Sequence, residues 1–380
     1  MMRHMKQEPI RILHVIGIMN RGGAETMIMN YYRHVDRTKV QFDFVENSFE
    51  PAVFDEEILS LGGRIFRCPR YNGKNHVAYL RWWKQFFREH GAEFTAVHGH
   101  LGSTAAIYLS AAKKAGIYTI AHSHNTHDLS LISMVYQLYS YPTRYIADYF
   151  FGCSKGAGLS RYGKKVCASA DRFSVLNNAI DTMHFSYCEE LRSQFRQQLG
   201  IDDKLVIGHV GRFFAQKNHK FLIEIFAQIH KQNPNTILLL VGDGELRNAI
   251  ESQIYTYGLD NCVILAGVQA DVSPYYQAMD VFLFPSLYEG LGIVAVEAQT
   301  AGLPCVISDK VSRECILADN LVAVCPLKSS PRLWGETVLE CADIPREDHT
   351  YIIKTHGYDI REAATWLQNF YLKIGGQDHA

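Results

Sequence analysis

The stretch Phe284-Pro-Ser-Leu-Tyr-Glu289-Gly-Leu-Gly-Ile-Val-Ala-Val-Glu297 carries the clearest fold signal in the chain. An apolar strand pattern, 280–284, runs into it, and an apolar helix pattern follows it. Proline and serine interrupt the strand, and Gly290 and Gly292 then allow the backbone to approach a ligand closely. The stretch therefore predicts a strand, a tight loop and a helix N-terminus, where backbone amides and the helix dipole favour a phosphate group.

Two carboxylates flank this predicted phosphate site. Glu289 lies in the loop and Glu297 about two helical turns later, which is a Glu-x7-Glu spacing. Carboxylates accept hydrogen bonds from hydroxyl groups, so one acid for a hexose and the other for a ribose would suit a nucleotide sugar. Glutamates exposed to solvent are common on helices, so a Glu-x7-Glu spacing alone is weak evidence for a binding site. It becomes specific because the first glutamate lies within the motif Pro-Ser-x-x-Glu-Gly-x-Gly.

The composition is that of a soluble globular protein, with 47% apolar and 20% charged residues. A length of 380 residues predicts two domains of about 150–200 residues each. The net charge of -1 gives no electrostatic case for nucleic acid as a partner. Nine cysteines occur singly, without Cys-x-x-Cys pairs, which favours a reducing compartment over a disulfide framework.

Targeting and membrane-spanning signals are not found in the sequence. Residues 1–9 are polar and lack the apolar core of a signal peptide. No run reaches the length of about 18 apolar residues that spans a bilayer. We therefore expect a cytoplasmic protein, with peripheral contact at the inner face of the cytoplasmic membrane left open.

Strand and helix patterns alternate along the whole chain, which predicts an α/β fold with parallel sheets built from βαβ units. The pattern changes near residues 177–198, and two doubly wound domains, 1–183 and 184–357, are the simplest account. Strands are predicted at 11–18, 41–45, 64–68, 95–98, 118–122, 149–153, 173–176, 205–210, 236–241, 263–266, 281–285, 305–308 and 321–324. Helices in the first domain are predicted at 24–34, 76–89, 104–115 and 130–147.

Basic side chains follow the first strand of the second domain. That strand ends in Gly211 and Arg212, with Lys217 five residues later. The carboxyl end of a strand is where open α/β sheets bind ligands, and a guanidinium with an ammonium there could neutralise a diphosphate. Taken without the rest of the sequence, two solvated basic residues in a loop would be the simpler interpretation.

The next strand ends in Gly242-Asp-Gly244, which begins like a dinucleotide fingerprint. Arg247 occupies the position of the third glycine, so the fingerprint is incomplete and NAD is not favoured. We interpret this segment as a tight strand-to-helix turn. In the first domain, Gly22 and Gly23 also follow a strand, and such a pair permits close approach to a ligand.

Histidines mark two strand ends of the first domain, as His98-Gly-His100 and His122-Ser-His124-Asn125. Neighbouring parallel strands would bring both groups to one edge of the sheet. Together with His127 and Asp128 they could form a zinc or iron site. No cysteine or glutamate completes either pair, so we predict no metal here.

Basic and aromatic residues cluster between residues 64 and 88, where Trp82 and Trp83 are adjacent. On an amphipathic helix they could bind an anionic membrane surface. A solvated helix with its tryptophans in the core is the interpretation we favour slightly. If the protein acts on a lipid-linked molecule, membrane contact is expected in this region.

These motifs, in this order, resemble those of the retaining glycosyltransferases of family 4, and the resemblance covers essentially the whole chain. It implies the GT-B fold, in which two Rossmann-like domains face each other across a cleft. The donor would lie mainly on the second domain and the acceptor mainly on the first, and a C-terminal helix, about 358–380, would cross back to the first domain. Asn178-Ala-Ile-Asp181 resembles the family's hinge segment, with Ala179 in place of the usual glycine.

The resemblance also implies roles for individual residues: Glu289 would hold the hexose, Glu297 the ribose and His124 the reacting face of the sugar. The backbone at 266–269 would meet the nucleobase. The implied catalytic residues are His124, Glu289, Arg212 and Lys217. The implied donor-binding residues are Gly22, Gly23, Gly211, Arg212, Lys217, Gly242, Val268, Glu289, Gly290, Leu291, Gly292, Ile293 and Glu297. The residues implied for the acceptor side are His100, His122 and Asn125.

The implied activity is the retaining, metal-independent transfer of a hexose from a nucleoside-diphosphate sugar, with UDP favoured over GDP. The acceptor would be a glycan or a lipid-linked glycan in exopolysaccharide or capsule biosynthesis, and no cofactor is expected. A non-hydrolysing sugar-nucleotide epimerase shares the two-domain fold but explains Glu-x7-Glu less well. An NAD-dependent oxidoreductase and a non-catalytic sugar-binding protein remain further alternatives.

Overall fold

The computed structural model describes residues 8–124 and 138–376. Within these ranges the strands form two parallel sheets, one of seven strands and one of six. The first sheet contains β1 Ile10–Ile16, β2 Val40–Glu46, β3 Ile65–Arg67, β4 Ala96–Gly99, β5 Tyr118–Ser123, β6 Tyr149–Gly152 and β7 Phe173–Val175. The second contains β8 Leu205–Val210, β9 Thr236–Val241, β10 Val263–Gly267, β11 Val281–Phe284, β12 Cys305–Ser308 and β13 Val322–Cys325.

Helices connect successive strands. Those that accompany the first sheet are α1 Gly23–His34, α2 Asp55–Ser60, α3 His76–His90, α4 Ala105–Lys114, α5 Thr143–Ile146 and α6 Lys155–Cys167. The remaining helices are α7 Thr182–Phe185, α8 Glu189–Leu199, α9 His219–Gln232, α10 Arg247–Thr256, α11 Ser273–Ala278, α12 Ile293–Thr300, α13 Pro331–Cys341, α14 Thr350–Thr355 and α15 Ile360–Ile374. Short 3-10 turns lie at Gly91–Glu93, Gly102–Thr104, Ala215–Lys217, Arg313–Cys315 and Asp319–Leu321.

The strand order makes both sheets doubly wound. The first runs β3-β2-β1-β4-β5-β6-β7 and the second β10-β9-β8-β11-β12-β13. The order therefore reverses beside β1 and again beside β8, and such reversals are where open α/β sheets bind ligands. Runs such as TILLLV in β9 are buried along their whole length, as expected for parallel strands covered on both faces. The predicted α/β fold with two Rossmann-like domains is confirmed.

The chain divides into two compact units. Unit 1 extends to Ala179 and resumes at Ile360, and unit 2 runs from Ile180 to Asp359. The sequence analysis set its boundary at 183/184. A β-bridge joins Ile180 to Asp359, where the chain enters and leaves unit 2.

Helix α15 belongs to unit 1 although it ends the described chain. Its residues Ala364, Leu367 and Tyr371 lie in one buried cluster with β1 and β2. A second cluster of unit 1 contains Trp83, which is fully buried, and Trp82 stacks on Phe86 beside it. The tryptophans therefore belong to the core, as the favoured interpretation had it.

Strand β11 and the predicted helix 130–147 are two of the elements whose bounds differ from the prediction. Strand β11 ends at Phe284, one residue before the predicted end, because Pro285 has no amide hydrogen for the ladder. The predicted helix 130–147 falls partly on residues 125–137, which lie outside the described residues. In the described part of this segment, residues 138–140 are helical, a turn follows at 141–142, and α5 comes next. Among the described residues, no helix has both the length and the apolarity needed to cross a membrane.

Candidate functional site

Two loops of unit 2 meet at the reversal point of its sheet, one after β8 and one after β11. The Leu287 amide donates to the Gln216 carbonyl at 2.8 Å. The Asn218 side chain donates to the Pro285 carbonyl at 3.1 Å, and the Gln216 side chain donates to the Tyr288 carbonyl at 2.9 Å. These bonds hold the basic loop and the Glu-Gly-x-Gly loop together at the edge where this fold binds ligands.

Lys217 and Glu289 form an ion pair across these loops. Lys217 Nζ lies 2.7 Å from Glu289 Oε1, and the side chains are only 17% and 8% exposed. The ammonium also lies 4.9 Å from the centre of the Phe284 ring, a favourable cation–π distance. The structure thus brings together two predicted site residues in a largely water-excluded place, where charge interactions are strong.

Arg212 lies on the same loop as Lys217 but is exposed. Its guanidinium carbon lies 4.9 Å from the centre of the Phe214 ring. Gly211 precedes it, and a Cβ at that position would approach the Lys217 side chain to 3.3 Å. The glycine therefore leaves room for the lysine stem to lie against the backbone.

Helix α12 begins directly after the second loop. Gly292 precedes its first residue with φ 84° and ψ 51°, a left-handed conformation that favours glycine. Within the described chain no side chain caps this N-terminus, so backbone amides at the start of the helix are available to an anion. Leu291 is buried and Ile293 opens the helix, which agrees with the predicted position of the amide group 290–293.

Glu297 lies inside α12 and is largely buried. Tyr276 donates its hydroxyl hydrogen to Glu297 Oε2 at 2.8 Å. Burial raises the pKa of the Glu297 carboxyl to about 7, and the Tyr276 hydrogen bond and the Lys217 charge oppose that rise. Sequence reasoning missed Tyr276, because only the packing of α11 against α12 brings this tyrosine to the carboxylate.

Glycines allow the ends of β8, β9 and β10 to lie close together. Gly242 has φ 132°, and a Cβ there would lie 2.1 Å from the Gly211 carbonyl oxygen. Its amide donates to the Gly267 carbonyl at 2.8 Å. Val268 follows with 63% of its surface exposed, at the place predicted for the nucleobase. Arg247, in the position of a third glycine, pairs with Asp243 at 3.0 Å.

In unit 1 the Gly22-Gly23 loop joins β1 to α1. Gly22 caps the helix in an extended conformation and Gly23 is its first residue. The Met19 amide in this loop donates to Glu46 Oε1 at 3.3 Å, and Glu46 is paired with Arg67. Burial raises the pKa of Glu46 to about 7, with Arg67 opposing the rise. This loop support was missed, because only β-sheet register brings Glu46 beside it.

The structure gathers the predicted histidines and adds His14, which the sequence analysis missed. His14 in β1 pairs in register with His98 in β4. His14 Nδ1 lies 2.9 Å from His100 Nε2, and His100 Nδ1 lies 2.8 Å from His124 Nε2. His98 Nε2 lies 3.2 Å from His122 Nδ1. A histidine between apolar residues of a buried strand was the available signal for His14. Asn125 lies outside the described residues.

All five rings are uncharged near neutral pH, because burial disfavours the imidazolium form. It lowers the pKa of His14 to about 3 and that of His124 to about 4, and the pKa values of the other three fall well below the usual range. Two triplets place three ring nitrogens within 4.8 Å of one another: His14, His98 and His100, and His100, His122 and His124. Neutral imidazole is a zinc ligand, so the absence of a metal stays a prediction.

Comparisons with known proteins agree with this geometry. A family model described as Glycosyltransferase Family 4 matches residues 21–184, and one described as Glycosyl transferases group 1 matches residues 192–332. The chain is 35% identical to a protein of Bacillus subtilis named putative glycosyltransferase EpsF, over 99% of this chain and 100% of that one. The chain belongs to glycosyltransferase family 4.

Two further likenesses extend over much of the chain. A galactosyltransferase of Escherichia coli, named as using UDP-Gal and α-D-GlcNAc-diphosphoundecaprenol, is 27% identical over 60% of this chain and 61% of that protein. The crystal structure of HepE from Anabaena in complex with UDP matches with a TM-score of 0.72 at 18% identity, over 97% of this chain and 98% of that one. The last likeness confirms the GT-B fold predicted from the sequence.

Proposed function

We propose that this family-4 glycosyltransferase transfers a hexose from a UDP-sugar, with retention of anomeric configuration and without a metal, to a glycan or lipid-linked acceptor in exopolysaccharide or capsule biosynthesis. The Lys217–Glu289 pair beside the uncapped start of α12 is the observation that carries the donor site. It places a cation, an acid and open amides at the reversal point of a doubly wound sheet.

The diphosphate would be bound by Arg212, Lys217 and the amides of 290–293. When the donor enters, its phosphate oxygens would accept hydrogen bonds from Lys217, and a hexose hydroxyl would donate to Glu289. Lys217 and Glu289 would then each interact with the substrate as well as with each other. Positive groups positioned in advance stabilise the charge that develops on the departing diphosphate, which is commonly the largest catalytic contribution.

Glu297 would accept hydrogen bonds from the ribose hydroxyls, and the backbone near Val268 would meet the base. UDP is favoured over GDP because HepE was crystallised with UDP and with UDP-glucose. The name of the Escherichia coli relative, which specifies UDP-Gal, points the same way. Gly22 and Gly23 would approach the donor phosphates, and His124 would face the reacting sugar.

Retention would follow from attack on the same face from which the diphosphate leaves. In that mechanism the acceptor oxygen forms a bond to the anomeric carbon while the bond between the anomeric carbon and the phosphate oxygen breaks. The leaving phosphate takes the proton of the acceptor hydroxyl. The protein would contribute by binding, orienting and excluding water. His100, His122 and Asn125 remain the proposed acceptor-side residues.

A basic groove on unit 1 supports the proposed contact with a membrane or a lipid-linked acceptor. Helices α3 and α4 line a cavity of about 410 Å³, with Leu80, Phe87 and Ile107 on its apolar side. Its cationic side chains, Lys84, Arg88 and Lys114, are exposed. Cations above an apolar floor suit an anionic lipid headgroup. Trp83 is buried and takes no part.

Calorimetric titration with UDP, GDP, ADP and NAD, in the presence of a chelator, tests the donor site. We expect UDP to bind and Glu297→Ala to weaken it at least about tenfold, the effect of one lost hydrogen-bonding group. Glu340→Ala, an exposed glutamate on α13, is the matched control and should bind normally. Binding of NAD alone would favour the oxidoreductase instead.

Product analysis tests the reaction itself. With a UDP-hexose and a glycan or lipid-linked acceptor, NMR should show a glycoside with the donor's anomeric configuration. An inverted product would contradict retention, and activity lost in chelator and restored by zinc would contradict metal independence. Release of an epimerised sugar nucleotide without an acceptor would identify the epimerase.

A further inference from the structure

Two lines of hydrogen bonds run through the buried face of the unit 1 sheet. One joins His14, His100 and His124, with contacts of 2.9 and 2.8 Å between ring nitrogens. The other joins Tyr371 of α15 to His98 at 2.6 Å and His98 to His122 at 3.2 Å. The rings stack between the lines, His98 on His100 at 4.3 Å and His122 beside His124 at 4.1 Å.

The line from Tyr371 has a direction set by its first member. Within the described chain, His98 Nδ1 is the hydrogen-bond partner of the buried Tyr371 hydroxyl, so the hydroxyl hydrogen goes to Nδ1 and the His98 proton lies on Nε2. His98 then donates to His122 Nδ1, and the His122 proton lies on Nε2, which is buried without a partner among the described residues. A neutral ring carries one N–H, so each step determines the next.

The direction of the other line follows from its buried end. His14 Nε2 has no hydrogen-bond partner within the described chain. The ring is packed against Phe42 and Phe44, with centroids 4.2 and 5.6 Å away. Aromatic faces carry partial negative charge, so they tolerate an N–H better than a bare lone pair. His14 therefore holds its proton on Nε2, and its Nδ1 accepts from His100.

The same rule carries this direction to the end of the line. His100 has its proton on Nε2, so His100 Nδ1 accepts from His124 Nε2. His124 is left with a lone pair on Nδ1, and that nitrogen is buried and has no partner among the described residues. His124 directly follows β5, at the carboxyl edge of the sheet, beside the reversal point at β1 and β4.

We propose that His14 and His100 are positioning residues that hold His124 in the Nε2–H tautomer, so that its Nδ1 accepts a hydrogen bond from a substrate hydroxyl. This inference rests on the proposed function, because the hydroxyl belongs to the transferred hexose or to the acceptor. The role of His100 changes accordingly from acceptor contact to support of His124. No proton leaves the line, which serves to fix an orientation and a tautomer.

A transition metal would require a different arrangement of the same rings. A metal ligand uses the lone pair of a ring nitrogen, and a nitrogen that donates N–H to its neighbour has none to offer. In the proposed line His100 donates through one nitrogen and accepts through the other, so neither is free for a metal. The hydrogen-bonded line and a metal bound through His100 exclude each other.

Long-range proton–nitrogen NMR of the ¹⁵N-labelled protein near neutral pH tests the tautomers without any substitution. We expect His14, His100 and His124 each to carry the proton on Nε2. A proton on Nδ1 of His124 overturns the proposal. One equivalent of zinc retained after desalting, and absent in His100→Leu, also overturns it and assigns a metal site instead.

Two variants test the consequence for turnover. His100→Leu can neither donate nor accept, and we expect the KM of one sugar substrate to rise about tenfold, the effect of one hydrogen bond. His100→Gln, whose amide can do both, should restore most of it. A rise in the donor KM identifies a hexose hydroxyl, and a rise in the acceptor KM identifies the acceptor. Unchanged constants in His100→Leu overturn the proposal.

Two further measurements keep the outcomes separable. His14→Phe removes the far end of the line without changing a direct neighbour of His124, and we expect both tautomers of His124 to be populated in this variant. This measurement tests the proposal if His100→Leu fails to fold. UDP binding to unit 2 should be unaffected in all three variants, because UDP carries no hexose. If wild type binds no UDP, the proposed function fails whichever tautomer His124 adopts.

Discussion

Glu297 shows how one buried carboxyl can make donor binding depend on pH. Its pKa of about 7 lies above the usual value of 4.5, because burial disfavours the charged form. The free protein therefore holds this carboxyl largely protonated below pH 7 and ionised above it. A ribose diol donates hydrogen bonds, so it prefers the ionised acid.

We predict that UDP affinity falls as the pH drops through 7, by about tenfold per pH unit once below the pKa. Calorimetry between pH 5.5 and 8.5 measures this. The second phosphate pKa of UDP, about 6, contributes as well. Glu297→Gln isolates the protein's part, because the amide does not titrate and retains only the ligand's pH dependence. Identical pH profiles for the two proteins would contradict the prediction.

Single residues could be assigned from the sequence only where a motif surrounds them. Glu289 and Lys217 were predicted as separate contacts, one for the sugar and one for the diphosphate, and the structure shows them paired at 2.7 Å. Tyr276 and His14 were missed, because their contacts arise from helix packing and strand register. No local pattern in the chain encodes a partner that lies many residues away.

The ends of β8 and β9 in unit 2 can lie close together because residue 242 is a glycine. Gly242 follows β9 with φ 132°, and a Cβ would lie 2.1 Å from the backbone oxygen of Gly211. Backbone atoms cannot move aside as a flexible side chain can. The loop carrying Arg212 and Lys217 therefore keeps its position only while residue 242 lacks a side chain.

We predict that Gly242→Ala destabilises unit 2 by about 2–5 kcal/mol, from the clash and the left-handed backbone together. Gly200→Ala is the matched control, since Gly200 has φ 66° and no atom within 4 Å of the added carbon. Strain alone should cost it about 1 kcal/mol. Urea unfolding measures both, and UDP titration should show weaker binding only in the first. Equal costs would contradict the clash.

Strand positions were predicted well because parallel strands buried on both faces read as apolar runs. The loop and helix start at 285–293 were also predictable from the local sequence, because proline and glycine change the allowed conformations of their own backbone. In the predicted segment 130–147, the apolar pattern did not indicate the turn at 141–142 that separates helical residues 138–140 from α5.

The last described helix, α15, belongs to unit 1, although the chain has already passed through unit 2. Leu367 of α15 is 2% exposed and lies in the core of unit 1, although the whole of unit 2 precedes it in sequence. Tyr371, on the same helix, reaches His98 in β4. The C-terminal segment is therefore a structural part of the unit that begins the chain.

We predict that Leu367→Ala destabilises unit 1 by about 2–5 kcal/mol, as truncation of a buried leucine does. Hydrogen–deuterium exchange by mass spectrometry should show faster exchange in peptides of β1, β2 and α1, with unit 2 peptides unchanged. Leu333→Ala, at a leucine that is 48% exposed on α13, is the control and should cost no more than about 0.5 kcal/mol. Faster exchange confined to unit 2 would contradict the assignment.

The amino-acid sequence by itself determined the alternation of strands and helices, the two doubly wound domains and the strand-loop-helix unit that carries Glu289 and Glu297. These features follow from periodicity, proline and glycine, which act over a few neighbouring residues. Tertiary structure determined which groups meet: Lys217 with Glu289, Tyr276 with Glu297, and the histidines in or directly after β1, β4 and β5 in two hydrogen-bonded lines. Such contacts depend on strand register and helix packing. These are set by many small interactions spread over the whole chain, so no local sequence pattern indicates them.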